Sequence, residues 1–150
     1  MTRLLVTLAM TLAAGPLAAE MPAATAALID HNRTQCEANG GQLSVGPDAV
    51  LQADLNGDGT LDTIFDGAQV SCTKDPQPTC SELGCDLNVI VGTEQHNFIV
   101  LGWSVERAGD RAGERAVLRT KQSGFLLNKP EDATYDLYFD NVSQSWQVVK

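Results

Sequence analysis

The chain has 150 residues, 19 of them acidic against 10 basic, for a net charge of −9. That length holds one domain with a modest core. The acidic balance excludes a nucleic-acid partner, whose phosphates need Lys and Arg, and an anionic membrane surface, and it favours divalent cations.

Residues 1–19 read as a cleavable secretory signal. Arg3 precedes an uncharged apolar run from Leu4 to Ala14, Gly15-Pro16 breaks it, and Ala18-Ala19 offers small residues before Glu20. The run falls short of the about 20 apolar residues that span a bilayer. The expectation is a periplasmic or secreted protein with no membrane insertion after signal cleavage, its single domain covering residues 20–150.

The Ala-rich stretch that follows predicts a helix from Pro22 to Ala38, stopped by Asn39-Gly40-Gly41. Strand patterns come next. Ala49–Asp54 and Asp62–Cys72 flank an acidic loop, and Leu87–Gly92 is a short run rich in branched residues. His96–Arg107 carries Phe98, Ile99, Val100, Leu101, Trp103 and Val105, so it is apolar on both faces and predicts one central strand. Glu114–Lys121 is a further strand, and Thr134–Asp140 with Ser145–Val149 forms a hairpin about Asp140-Asn141. Thr73–Thr79, Ala108–Gly113 and Asn128–Asp132 are turn-like. The predicted class is α+β: an N-terminal helix packed on a mostly antiparallel sheet of about five to seven strands, in one disulfide-tied domain.

Four cysteines, Cys36, Cys72, Cys80 and Cys85, imply disulfides in an exported domain. Three connectivities are open, and Cys36–Cys72 with Cys80–Cys85 is preferred. The first ties the helix to the sheet, and the second closes the loop CSELGC. The spacings lack the CxxC pairs of zinc sites and of redox-active dithiols.

One motif carries chemistry. Residues 54–62 read Asp-Leu-Asn-Gly-Asp-Gly-Thr-Leu-Asp, with oxygen side chains at positions 1, 3, 5 and 9 and Gly at 6. Calcium takes six to eight hard oxygen ligands, and alternate residues of a tight loop turn several inward together. Asp54, Asn56 and Asp58 are the expected first ligands, Thr60 gives its backbone carbonyl, and Asp62 binds directly or through water. Phe65 stands where an EF-hand has its bidentate Glu, with Asp66 one residue late. A calcium affinity on the order of 10⁻⁴–10⁻³ M is expected. The competing reading is a metal-free turn, since Asn, Asp and Gly form turns in any case.

With strands on both sides, this DxNGDGxxD segment resembles the calcium loops of FG-GAP, integrin-type propeller repeats. The resemblance covers about a dozen residues and implies calcium at Asp54, Asn56, Asp58, Thr60 and Asp62, without implying a propeller. The wider order of signal, helix ending in Cys, Asn-Gly-Gly, DLNGDG, strand, Cys and CxxxxC loop resembles small periplasmic proteins of Gram-negative bacteria. That family implies localisation and no activity.

The remaining reactive residues point nowhere. His31 and His96 accompany neither GxSxG nor HExxH. Trp103 and Trp146 read as core, and Arg107, Arg111, Arg115 and Arg119 as a solvated edge. The functional expectation is a non-enzymatic binding or interaction protein, its partner a protein or small ligand, with calcium as a structural cofactor. One alternative is an inhibitor of an extracellular hydrolase presenting Thr73–Gly84. The other is a small periplasmic hydrolase, which needs His31 or His96 to meet a carboxylate.

Overall fold

A computed structural model of the protein describes residues 21–107 and 116–149. The proposed signal sequence and the Ala108–Gly113 tip lie outside them. Helix α1 spans Ala23–Ala38, with Pro22 at its N-cap. Thr25, Ile29 and Cys36 form its buried stripe, at the spacing of one helical face. The helix stops as expected: the N–H groups of Gly40 and Gly41 bond back to Glu37 and Cys36, and Gly40 takes φ +72°, a conformation that costs a glycine nothing.

The strands are β1 (Leu43–Val45), β2 (Val50–Ala53), β3 (Asp62–Asp66), β4 (Val70–Cys72), β5 (Cys80–Ser81), β6 (Gly84–Val91), β7 (Glu94–Val100), β8 (Gly102–Arg107), β9 (Ala116–Gln122), β10 (Ala133–Asp140) and β11 (Ser145–Val148). Every pairing among them is antiparallel. Instead of one sheet they form three. β1 pairs with β4; β8, β9, β10 and β11 form a four-stranded sheet; and β2, β3 and β6 form a third, with β5 and β7 added to β6. The α+β class with an N-terminal helix therefore holds, with the strands divided further than expected.

Two expected strands split. His96–Arg107 breaks at Leu101, whose N–H bonds to Lys121 O at 2.7 Å. β7 then pairs with β6, and β8 with β9, each at a sheet edge. The apolar character of both faces was a phase slip. Phe98 and Val100 face inward on β7, whereas Trp103 and Val105 do so on β8. One residue of shift at Leu101-Gly102 reverses the alternation and leaves Ile99 and Leu101 outside. Asp62–Cys72 breaks at a 3-10 turn, Gly67–Gln69, capped by Asp66 accepting from Ala68 N at 2.9 Å.

The two larger sheets share one core. Ile64, Leu87, Val89 and Val100 meet Leu118, Leu137 and Phe139 there. A second core of Ile29, Ala49, Phe65 and Val70 lies under α1. β3 serves both, Ile64 on one face and Phe65 on the other, so all five of its residues are buried. Cys36–Cys72 joins α1 to β4, and Cys80–Cys85 joins β5 to β6. In the chain-entropy account the longer loop contributes about 4 kcal/mol and the shorter about 2 kcal/mol.

Candidate metal centre

The acidic loop connects β2 to β3, which pair from Val50↔Phe65 to Ala53↔Asp62. Its side chains fold back on its own backbone. Asp54 accepts from Gly57 N through Oδ1 at 2.6 Å and from Gly59 N through Oδ2 at 2.9 Å. Asn56 Oδ1 accepts from Asp58 N at 2.9 Å, and Asp58 Oδ1 from Thr60 N at 2.7 Å. Asn56 Nδ2 donates to the other Asp58 oxygen at 2.9 Å. These are the short-range bonds that Asn and Asp make in turns. Gly57 and Gly59 take φ +77° and +85°, which lets successive N–H groups point at the carboxylates.

Asp62 differs from the rest. It is 3 % exposed, accepting from Leu55 N through Oδ2 and from Gly92 N through Oδ1, each at 2.9 Å. Burial raises its carboxyl above the ordinary value, the two N–H bonds pull the other way, and the negative charges of Asp58 and Asp54 add to the rise. Exposed Asp58 is held below its ordinary value, chiefly by the Thr60 N–H and then by the Asn56 amide.

The loop also ties distant parts of the fold together. Leu55 is fully buried in the core between the sheets. Asp54 O accepts from Ala116 N at 2.9 Å, at the start of β9, and Asn56 O accepts from Asn141 Nδ2 at 2.9 Å, in the β10–β11 turn. With Gly92 between β6 and β7, one nine-residue segment touches both large sheets. The sequence motif gave no sign of Leu55, Gly92, Ala116 or Asn141. Gly92 and Asn141 lie 30 and 85 residues from their partners, beyond any local pattern.

Asp54, Asn56, Asp58 and Asp62 supply oxygen donors, the class calcium takes. Each carboxylate oxygen that accepts one N–H keeps a second lone pair. Even so, among the described residues no three His, Cys, Asp or Glu side chains converge as a group able to hold a metal ion. In this arrangement the loop is an acidic turn whose carboxylates accept from its own backbone N–H groups and from Gly92.

The other candidates are dispersed. His31 is exposed on α1. His96 lies in an aromatic cluster, 5.3 Å from the Phe139 ring and 6.1 Å from that of Trp146. Neither makes an ion pair among the described residues. Trp103 and Trp146 are partly buried against the core. Arg119 grips Asp136 with two N–H groups at 2.6 and 2.9 Å and reaches Glu106 as well. No helix among the described residues is long and apolar enough to cross a membrane. The chain matches no protein-family model, no curated protein and no solved structure.

Proposed function

We propose that the protein is an exported, non-enzymatic interaction domain whose two larger sheets are clamped by calcium in the Asp54–Asp62 loop. The observation that carries this reading is Asp62. Its carboxyl is raised above the ordinary value chiefly by burial, against the pull of two N–H groups, with a smaller rise from the charges of Asp58 and Asp54. A divalent cation supplies the missing positive charge. Asp54, Asn56, Asp58 and Asp62 would hold it with the Thr60 carbonyl, after the Asp58 carboxylate turns from Thr60 N toward the loop centre. Two disulfides in a small acidic domain support export.

The test is a calcium titration of chelator-stripped, oxidised protein, read by heat and by melting temperature, with Asp58→Ala beside it. Saturable binding on the order of 10⁻⁴–10⁻³ M, raising the melting temperature in the parent and lost in the variant, supports the reading. No binding up to several millimolar, roughly the upper end for extracellular modules, reduces the loop to a turn and removes it.

A hydrolase inhibitor is the second reading. One observation favours it: residues 73–77 are exposed and sit between Cys72 and Cys80, each anchored by a disulfide. Stoichiometric inhibition of an extracellular endopeptidase, lost when Pro76 and Pro78 are replaced by Gly, would support it. Cleavage of that segment as ordinary substrate would end it.

A further inference from the structure

The two disulfides stand in opposite surroundings. Cys36 and Cys72 are 3 % and 5 % exposed. The backbone of Gly41 closes over them so tightly that a Cβ there would lie 2.5 Å from Cys72 Sγ and 2.9 Å from Cys36 Sγ. No thiolate approaches a sulfur so covered. Cys80 and Cys85, by contrast, are both partly exposed. They face each other directly across an antiparallel pair, β5 with β6, of only two residue pairs.

Cys85 is also part of the wall of a cavity of about 230 Å³, together with Asp66, Leu101 and Trp103. Cys80 is not. A molecule entering this cavity meets Cys85 and not Cys80, so attack from that side would leave Cys80 as the departing sulfur. Loss of the bridge would not release the segment at once. Asp86 N still bonds to Thr79 O at 2.9 Å, and Thr79 Oγ1 to Gly67 O at 2.6 Å.

We propose that Cys80–Cys85 is a thiol–disulfide exchange site, attacked at Cys85 from the cavity beside Trp103 by a dithiol. The attacking thiolate forms a sulfur–sulfur bond with Cys85, the Cys80–Cys85 bond breaks, and Cys80 leaves as a thiolate. The second thiolate of the dithiol then attacks its own sulfur in the mixed disulfide and releases Cys85. The dithiol is oxidised by two electrons, the cysteine pair is reduced by two, and the two protons lost by the dithiol end on Cys80 and Cys85. Access governs such rates, along with the thiolate fraction of the attacker. Cys36–Cys72 stays oxidised and holds the fold, so reduction acts locally on the segment between Cys72 and Gly84.

The test exposes folded, oxidised protein to dithiothreitol, quenches it at intervals by alkylation, and maps the modified cysteines by peptide mass spectrometry. Cys80 and Cys85 are expected to react at least about tenfold faster than Cys36 and Cys72, as access to sulfur dictates, and the singly reduced protein is expected to melt cooperatively. A monothiol, 2-mercaptoethanol, is expected to form its first adduct on Cys85. Trp103→Ala opens the cavity and is expected to speed that adduct severalfold, while the Cys36–Cys72 rate in the same sample reports whether the fold has held. Equal reduction of the two bridges, a first adduct on Cys80, or an adduct rate untouched in a folded Trp103→Ala protein each overturns the proposal.

Discussion

Gly92 donates its backbone N–H to Asp62 Oδ1 at 2.9 Å across 30 residues of sequence, and Leu55 N fills the other oxygen. One buried carboxylate thus closes the acidic loop onto the β6–β7 turn. Asp62→Ala orphans both donors. A buried donor left unsatisfied costs about 1–3 kcal/mol. Leu55 is fully buried, whereas Gly92 is exposed and can turn to water, so a loss of roughly 1–3 kcal/mol is expected in urea denaturation without calcium. Asp62→Asn keeps one acceptor oxygen and is expected to lose about half as much, by the same one-donor cost. Equal losses in the two variants would show that the charge, and not the two N–H groups, carries the effect.

Asp136 and Asp86 pull the acid limb of stability in opposite directions. The Arg119 guanidinium holds Asp136 below its ordinary value of 3.8. A depressed carboxyl contributes stability above its unfolded value, and that contribution is lost as the pH falls through the folded one. Asp86 is raised by burial, so its contribution has the other sign: the folded state is penalised as the pH rises from 3.8 through the higher value. Asp136→Asn is therefore expected to flatten the fall in urea midpoint on acidification, and Asp86→Asn to raise the midpoint at neutral pH. Asp136 and Arg119 are partly exposed, so added salt is expected to shrink the first effect. An Asp136→Asn protein with an unchanged acid limb would remove Arg119 as its source.

Gly41 is the position where the helix-to-sheet bridge tolerates no side chain. A Cβ at 2.5 Å from Cys72 Sγ forces the backbone or the bridge aside. Overpacking of this kind costs about 1–3 kcal/mol, and Gly41→Ala is expected to lose that much with Cys36–Cys72 formed. Nearby Gly40 has open space about its Cα but φ +72°, so Gly40→Ala is expected to lose less, on the order of 1 kcal/mol. A Gly41→Ala protein as stable as the parent would mean that the bridge yields freely. The thiol accessibility of Cys36 and Cys72 would then rise with it.

What the sequence disclosed followed the reach of its signals. The helix and its Asn-Gly-Gly stop are local, and they were legible to within a residue. The preferred disulfide pairing is the pairing found: Cys36–Cys72 ties α1 to β4 and Cys80–Cys85 closes the short CSELGC loop. The division into three sheets was hidden. β7 and β8 read as one strand because only a change of phase at Leu101-Gly102 separates them, and β1 and β5 are three and two residues long. At the acidic loop the sequence displayed the oxygen donors. It concealed the role of Leu55, a core residue inside a polar motif, and the reach of Asn141 from the last hairpin. Those links exist only once the two sheets have packed.

The aromatic cluster between the sheets buries polar atoms as well as rings. His96 on β7 meets Phe139 edge-on at 5.3 Å and Trp146 at 6.1 Å, and Trp146 packs in turn on Phe98 and Phe139 at 5.7 and 5.5 Å. Both His96 Nε2 and Trp146 Nε1 are buried without a hydrogen-bond partner. A polar atom in that position carries a desolvation cost of about 1–3 kcal/mol, whereas an aromatic ring of similar shape keeps the edge-to-face contacts and gains apolar burial. His96→Phe is therefore expected to stabilise the protein by about 1 kcal/mol, read as a higher urea midpoint with an unchanged slope. Trp146→Phe removes the other unpaired atom but also half of the indole, so it is expected to cost stability through the cavity it leaves. If His96→Phe lowers the midpoint instead, the imidazole contributes an interaction through Nδ1 that outweighs the penalty at Nε2. A His96→Gln variant, which keeps hydrogen-bonding capacity without the ring, would then retain more stability than His96→Leu.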